Sequence, residues 1–111
     1  MAGDKDLELL QGTLDLLILK ALSWGPRHGY AVARWIAERT EEELVIEDGA
    51  LYTALHRLRK RGWVESEWGR SETNRTAKFY ELTPAGRAQL RARTSIWERY
   101  AAAVSRVLRT A

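Results

Sequence analysis

The stretch from Tyr52 to Arg61 concentrates side chains that hydrogen-bond or neutralise anions: Tyr52, Thr53, His56, Arg57, Arg59, Lys60 and Arg61. Arginine presents a planar fork that pairs with guanine O6 and N7 or with a phosphate. Tyrosine, threonine and neutral imidazole add uncharged hydrogen bonds. Through the same stretch Leu51, Ala54, Leu55 and Leu58 recur at three- and four-residue steps, so on a helix they form one apolar stripe and leave most of the polar set on or near the other side. A second polar cluster, Arg70, Asn74 and Arg75, lies in the segment from Gly69 to Thr76. Each residue also has a plainer reading. Arg57 suits an intrahelical or cross-helix salt bridge, Arg59 to Arg61 suit the negative end of a helix dipole, and Tyr52 suits simple packing.

Charge is unevenly divided along the chain. Residues 1–50 carry 5 basic and 10 acidic side chains, and residues 51–111 carry 13 basic and 5 acidic ones. Such a split points to an anionic partner for the second half, with a solvated basic surface as the alternative. The 111 residues are the size of one domain, and a domain this small gains burial by oligomerising. Cysteine is absent, which removes disulfides, thiolate metal sites and a cysteine nucleophile, and fits a reducing, cytoplasmic setting. Met1 to Asp6 is small and acidic, unlike a secretion signal. The apolar run Leu14 to Leu22 is interrupted by Asp15 and Lys20 and is too short to span a bilayer. The two histidines, His28 and His56, fall on different predicted helices, and no glycine-rich phosphate loop, metal-ligand cluster or nucleophile constellation appears. No enzyme, cofactor, metal or membrane partner is expected.

The elements that position these side chains read as follows. Leu7 to Ser23 is a predicted helix with Leu10, Leu14, Leu17, Ile18, Ala21 and Leu22 on one face, while Leu9, Leu16 and Leu19 lie off it. A helix apolar on two sides packs on two partners, its own domain and a second subunit, or else sits in one deep core. Trp24-Gly25-Pro26-Arg27 is a turn. A second helix runs from His28 to about Thr40 with Tyr30, Ala33, Ile36 and Ala37 inward, closed by Glu41-Glu42-Glu43, and Leu44 to Ile46 is a minor extended piece. His28 reads as a helix-start residue rather than a ligand. Asp48 is the expected N-cap of a third helix, Gly49 to about Arg61, stopped by Gly62. Strands follow at Trp63 to Trp68 and Ala77 to Leu82, with a long polar tip between them. Trp24, Trp35, Trp63 and Trp68 read as core or rim. Thr83-Pro84 is an N-cap followed by proline at the first helical position, opening a helix of about 26 residues. On it Leu90, Trp97, Ala101, Val104, Leu108 and Ala111 recur as in a helix–helix seam, and its arginines form a solvated face.

The predicted fold is therefore mainly α with a small β-hairpin: a winged helix-turn-helix over residues 1–83 and a long dimerisation helix over 84–111. In such folds the helix after the turn enters the major groove and the hairpin lies along the backbone or in a minor groove. Winged helices also serve as protein-interaction adaptors, which is the alternative function. The wing from Glu65 to Lys78 has three basic and three acidic residues, so it is expected to contribute less affinity than the helix.

Four segments resemble the PadR family of repressors. Gly49-Ala50-Leu51-Tyr52-Thr53-Ala54-Leu55-His56-Arg57-Leu58 is similar to its recognition helix, and His28-Gly29-Tyr30 to the start of its second helix. Lys78-Phe79-Tyr80-Glu81-Leu82-Thr83-Pro84-Ala85-Gly86 resembles its junction between wing and last helix, and Gly12 to Leu19 its first helix. The resemblance spans roughly residues 7–108, and the single C-terminal helix resembles the compact subfamily. It implies a homodimer on a pseudo-palindromic operator, repression of nearby genes, and release by an aromatic or drug-like small molecule. In compact members a tryptophan of the last helix and its symmetry mate line a flat apolar pocket. Trp97 falls at the matching place, flanked by Arg93 and Arg99, with plain interface packing as the alternative.

Helix, wing and resemblance together give an expected DNA-contact set of Tyr30, Gly49, Tyr52, Thr53, His56, Arg57, Lys60, Arg70, Asn74, Arg75 and Lys78. The expected dimer interface is Leu9, Leu16, Leu90, Trp97, Ala101, Val104 and Leu108, with Trp97 also the expected effector contact.

Overall fold

A computed structural model of the chain describes residues 12–111. Helix α1 spans Thr13–Leu22, strand β1 Arg27–His28, helix α2 Gly29–Arg39 and helix α3 Asp48–Lys60. Strands β2 (Val64–Arg70) and β3 (Thr76–Leu82) follow, then helix α4 (Pro84–Leu108). The expected helix over Leu7 to Ser23 is corrected at its start. Gly12 is the N-cap of α1 with φ 86°, a left-handed conformation that interrupts a continuous helix at this position. Residues 7–11, with Leu9 and Leu10, lie outside the described residues.

The core is built from the apolar faces of α1, α2 and α3 and the inner face of the hairpin. Ile18, Leu22, Val32, Ile36, Leu51, Leu55, Leu58 and Val64 are buried together, with Tyr80 and Leu82 beside them. Leu19, read as off the main stripe, is also fully buried. Tyr30 faces out, not in, because Gly29 and Val32 occupy the buried side of the first turn of α2.

Local chemistry explains most boundaries. His28 caps α2, its Nδ1 accepting from the Ala31 N–H at 3.2 Å. Thr83 caps α4, its Oγ1 accepting from the Gly86 N–H at 3.0 Å, with Pro84 in the first turn. Helix α3 ends in a Schellman motif: the Trp63 N–H donates to Leu58 O, the Gly62 N–H donates to Arg59 O, and Gly62 has φ 81°. Helix α2 closes the same way on Glu41 and Glu42, whose φ values of 52° and 66° are left-handed.

Three sequence expectations need correction. Asp48 lies inside α3; the N-cap is Glu47, which makes no side-chain cap bond, so Asp48 acts only as a first-turn anion on the helix dipole. Leu44 to Ile46 forms no strand; the Leu44 N–H donates to Thr40 Oγ1 instead of to a ladder. The sheet has three strands rather than two, in the order β1-β3-β2, because Arg27 and His28 pair antiparallel with Tyr80 and Phe79.

Helix α4 packs on α1 and β3 through its first half, where Leu90 meets the core. Gly86 makes that approach possible: a Cβ there would lie 2.0 Å from the Trp63 carbonyl oxygen. Further along, Ile96, Trp97, Tyr100, Val104, Val107 and Leu108 are exposed.

Candidate nucleic-acid interface

Helix α3 buries Leu51, Ala54, Leu55 and Leu58 and turns Tyr52, Thr53, His56 and Lys60 outward. Gly49 is also exposed on its first turn, and Tyr30 stands exposed on the first turn of α2. Tyr52 is held by more than its own helix. It is 46% exposed, and a Cβ built on Gly29 would lie 2.6 Å from its hydroxyl and 2.7 Å from its ring. The glycine thus opens the space into which the phenol lies against α2.

Arg57 is placed differently from its neighbours. Its guanidinium grips the carboxylate of Asp15 on α1, through Nη2 to Oδ1 and through Nε to Oδ2 at 3.4 Å. That hydrogen bond raises the Arg57 pKa above its ordinary value, while partial burial opposes the rise and the Asp15 charge adds to it. Arg61 lies 3.8 Å from the other carboxylate oxygen. The cross-helix salt bridge expected as one reading of Arg57 is formed, with its side chain still 40% exposed. Asp15, a buried carboxylate on an apolar helix, is the partner that this ion pair requires.

The wing tip is also internally braced. Arg70 Nη1 donates to the Asn74 carbonyl and to Asn74 Oδ1, both at 3.2 Å, and Asn74 sits at φ 62°. An Asn side chain tolerates this left-handed position better than most. Arg75 is exposed, and Lys78 lies with its Nζ 5.6 Å from the Trp68 ring centroid. Trp68, expected in core or rim, is exposed, and so is Trp24. Trp63 is half-buried between two guanidinium groups, Arg61 at 5.1 Å and Arg93 at 4.8 Å. Each such contact is worth about 0.5–1 kcal/mol, and together they tie the end of α3 to α4. Trp35 is flanked in the same way by Arg27 and Arg39.

A second feature lies between α1 and α4. An open groove of about 670 Å³ is lined by Leu16, Gln89, Ala92, Arg93, Ile96, Trp97 and Tyr100. On the other side of Leu16 and Trp97 a further groove is lined by Leu17, Leu90 and Thr94. Of the expected interface residues, Leu16, Leu90 and Ala101 are half-buried, whereas Trp97, Val104 and Leu108 are exposed on α4. Leu9 is outside the described residues.

Among the described residues no group of three or more histidines and carboxylates is placed to hold a metal ion, and no helix is long and apolar enough to cross a membrane.

Comparison with known proteins agrees with this geometry. Residues 18–92 match the model of the transcriptional regulator PadR-like family. A PadR family transcriptional regulator from Eggerthella lenta is 31% identical, with a TM-score of 0.82 over 99% of this chain and 94% of its own. A transcriptional regulator from Clostridium thermocellum is 31% identical, with a TM-score of 0.78 over 86% of this chain and 93% of its own. A PadR family transcription regulator from Clostridium difficile is 26% identical, with a TM-score of 0.76 over 87% and 99%. Resemblance in the sequence, the winged-helix fold and these matches converge: the chain belongs to the PadR-like family of transcriptional regulators.

Proposed function

We propose that the protein is a cytoplasmic repressor that binds a pseudo-palindromic operator as a homodimer. Residues 1–83 act as the DNA-binding unit and residues 84–111 as the dimerisation helix. The observation that carries this reading is the outward face of α3, where Thr53, His56 and Lys60 are exposed on a helix whose opposite face is fully buried. Those side chains reach base edges and phosphates of the major groove, with Tyr52 beside them in the space that Gly29 leaves open. Arg75 and Lys78 extend the contact along the backbone. Arg57 acts mainly by fixing α3 on α1, and Arg70 with Asn74 by shaping the wing tip.

Dimerisation covers the exposed apolar residues of α4, from Ile96 to Leu108. A long helix with Trp97, Val104 and Leu108 open to water is stabilised by burying them on a partner. The two-fold axis sets the recognition helices about one DNA turn apart, hence the pseudo-palindrome. The groove beside Trp97 then accepts a planar aromatic effector by offset stacking, and its binding releases the operator.

The test is a titration of the purified protein onto the DNA upstream of its own coding region and onto a scrambled duplex. Tighter binding to the upstream fragment, at one dimer per site and falling steeply with salt, supports the reading. Absence of binding to any duplex, genomic fragments included, overturns it in favour of a protein-interaction adaptor.

A further inference from the structure

Between Glu65 and Lys78 the hairpin carries three cations and three carboxylates, which cancel when summed along the chain. The strand register separates four of the six, with Glu72 and Arg75 in the turn between the strands. Val64 pairs with Leu82, Ser66 with Tyr80, Trp68 with Lys78 and Arg70 with Thr76. Strand alternation places these residues on one face of the ribbon. Glu65 pairs with Glu81, Glu67 with Phe79 and Gly69 with Ala77, and these occupy the other face. The wing is therefore two-sided, with an aromatic and cationic face backed by an acidic one.

The first face begins in the core, where Val64, Tyr80 and Leu82 are buried. It also fronts the recognition helix. Helix α3 packs against β2, and the Tyr80 pKa is raised first by burial and then by nearby Tyr52, while Arg59 opposes the rise. Past Tyr80 the same face runs beyond the helices and ends on Trp68, 66% exposed, with Lys78 against its ring. An indole in that position is an apolar plate with one N–H donor at its rim, adjoining a flexible cation. Continuity with the α3 surface and the sign of its charge identify the occupant as duplex DNA.

We infer that Trp68 is a DNA-contacting residue, and that the wing meets the duplex with its Trp68–Lys78 face. This rests on the DNA-binding reading above and extends it. Lys78 lies on a phosphate, the indole packs on the sugars at a groove edge, and Glu65, Glu67 and Glu81 point away from the backbone. The neutral sum of the wing is then no measure of its contribution, because two of its three carboxylates, Glu65 and Glu67, are on the side that DNA does not touch.

The experiment compares the wild-type protein with Trp68→Ala, Trp68→Phe, Lys78→Ala and Glu67→Gln. Fluorescence anisotropy on a labelled upstream fragment and on a scrambled duplex is measured between about 50 and 200 mM salt. The inference predicts that Trp68→Ala weakens binding to both duplexes about tenfold with an unchanged salt slope. Trp68→Phe recovers most of the loss. Lys78→Ala lowers the salt slope by about one, and Glu67→Gln changes affinity less than about twofold. Melting temperatures within a few degrees of wild type confirm that the exposed substitutions leave the fold intact. Wild-type binding that survives Trp68→Ala unchanged overturns this inference alone. A fall in dimer mass on Trp68→Ala also overturns it, since the indole would then be a contact between copies. Absence of any binding by the wild-type protein overturns it together with the DNA-binding reading.

Discussion

Asp15 of α1 and Arg57 of α3 are joined across 42 positions of sequence by a two-point ion pair whose two ends differ in exposure. The aspartate side chain is 8% exposed and the arginine side chain 40%. Removing one partner therefore costs different amounts. Arg57→Ala leaves a buried carboxylate with Arg61 nearby, at 3.8 Å. Asp15→Ala leaves a guanidinium that is already part-way to water. Urea unfolding is expected to show a loss of about 2–3 kcal/mol for Arg57→Ala and about 1 kcal/mol for Asp15→Ala. Equal losses would mean that the carboxylate is as well solvated as its partner. Asp15→Ala also frees a cation on the recognition helix, so affinity for scrambled DNA is expected to rise while that of Arg57→Ala does not.

Gly29 and Tyr52 form a second coupled pair. Alanine at position 29 suits a helix first turn, but its Cβ takes the space of the Tyr52 hydroxyl and ring. The side chain, being half-exposed, swings away and the fold survives. Gly29→Ala is expected to change stability by less than about 1 kcal/mol and to weaken operator binding as much as Tyr52→Ala does. The double variant should bind no more weakly than Tyr52→Ala alone. An additive double loss would separate the two residues.

Gly86 offers the opposite case. Its neighbour is backbone, the Trp63 carbonyl oxygen, which has no flexible end to move. Gly86→Ala pushes α4 off the β2 entrance, where Thr83 Oγ1 also donates to Gly62 O at 2.6 Å. The expected loss is about 2–3 kcal/mol in thermal or urea unfolding, against about 1 kcal/mol for removing the Thr83 cap by Thr83→Ala. A wild-type midpoint for Gly86→Ala would contradict the placement of α4.

On α4 itself, Val104→Asp combined with Leu108→Asp places two charges on the exposed apolar face. Sedimentation is expected to show a dimer for the wild-type protein and a monomer for this variant, with operator affinity lost in parallel. Wild-type protein that sediments as a monomer at micromolar concentration would remove the dimer from the account.

What could be read from the sequence depended on whether the signal was local. Thr83-Pro84 and Gly62 mark helix ends through bonds made within a few residues, and both were legible. The buried stripe of α3, and with it the outward polar set, followed from periodicity alone. Strand β1 did not, because Arg27 and His28 are extended only by pairing with Tyr80 and Phe79, some fifty residues away. Asp15 looked like a blemish on an apolar helix until Arg57 supplied its partner. Trp68 and Trp63 could not be separated either. Alternation tells which face of a strand a residue occupies, but not where that face leaves the helices that cover it. Gly12 was read within a continuous helix, since a glycine carries no mark of which conformation its neighbours will require.

The claim at the centre of the account is that the outward face of α3 reads base sequence. It is tested most directly by the ratio of affinities for the upstream fragment and the scrambled duplex, measured for wild type and for Thr53→Ala, His56→Ala and Lys60→Ala combined. All three residues are exposed, so the variant should fold normally. The account predicts that the ratio collapses toward one, a loss of about 1–3 kcal/mol of discrimination for each base contact removed, while weak salt-dependent binding persists. An unchanged ratio in a folded variant would contradict it, and would move sequence reading to another surface of the protein.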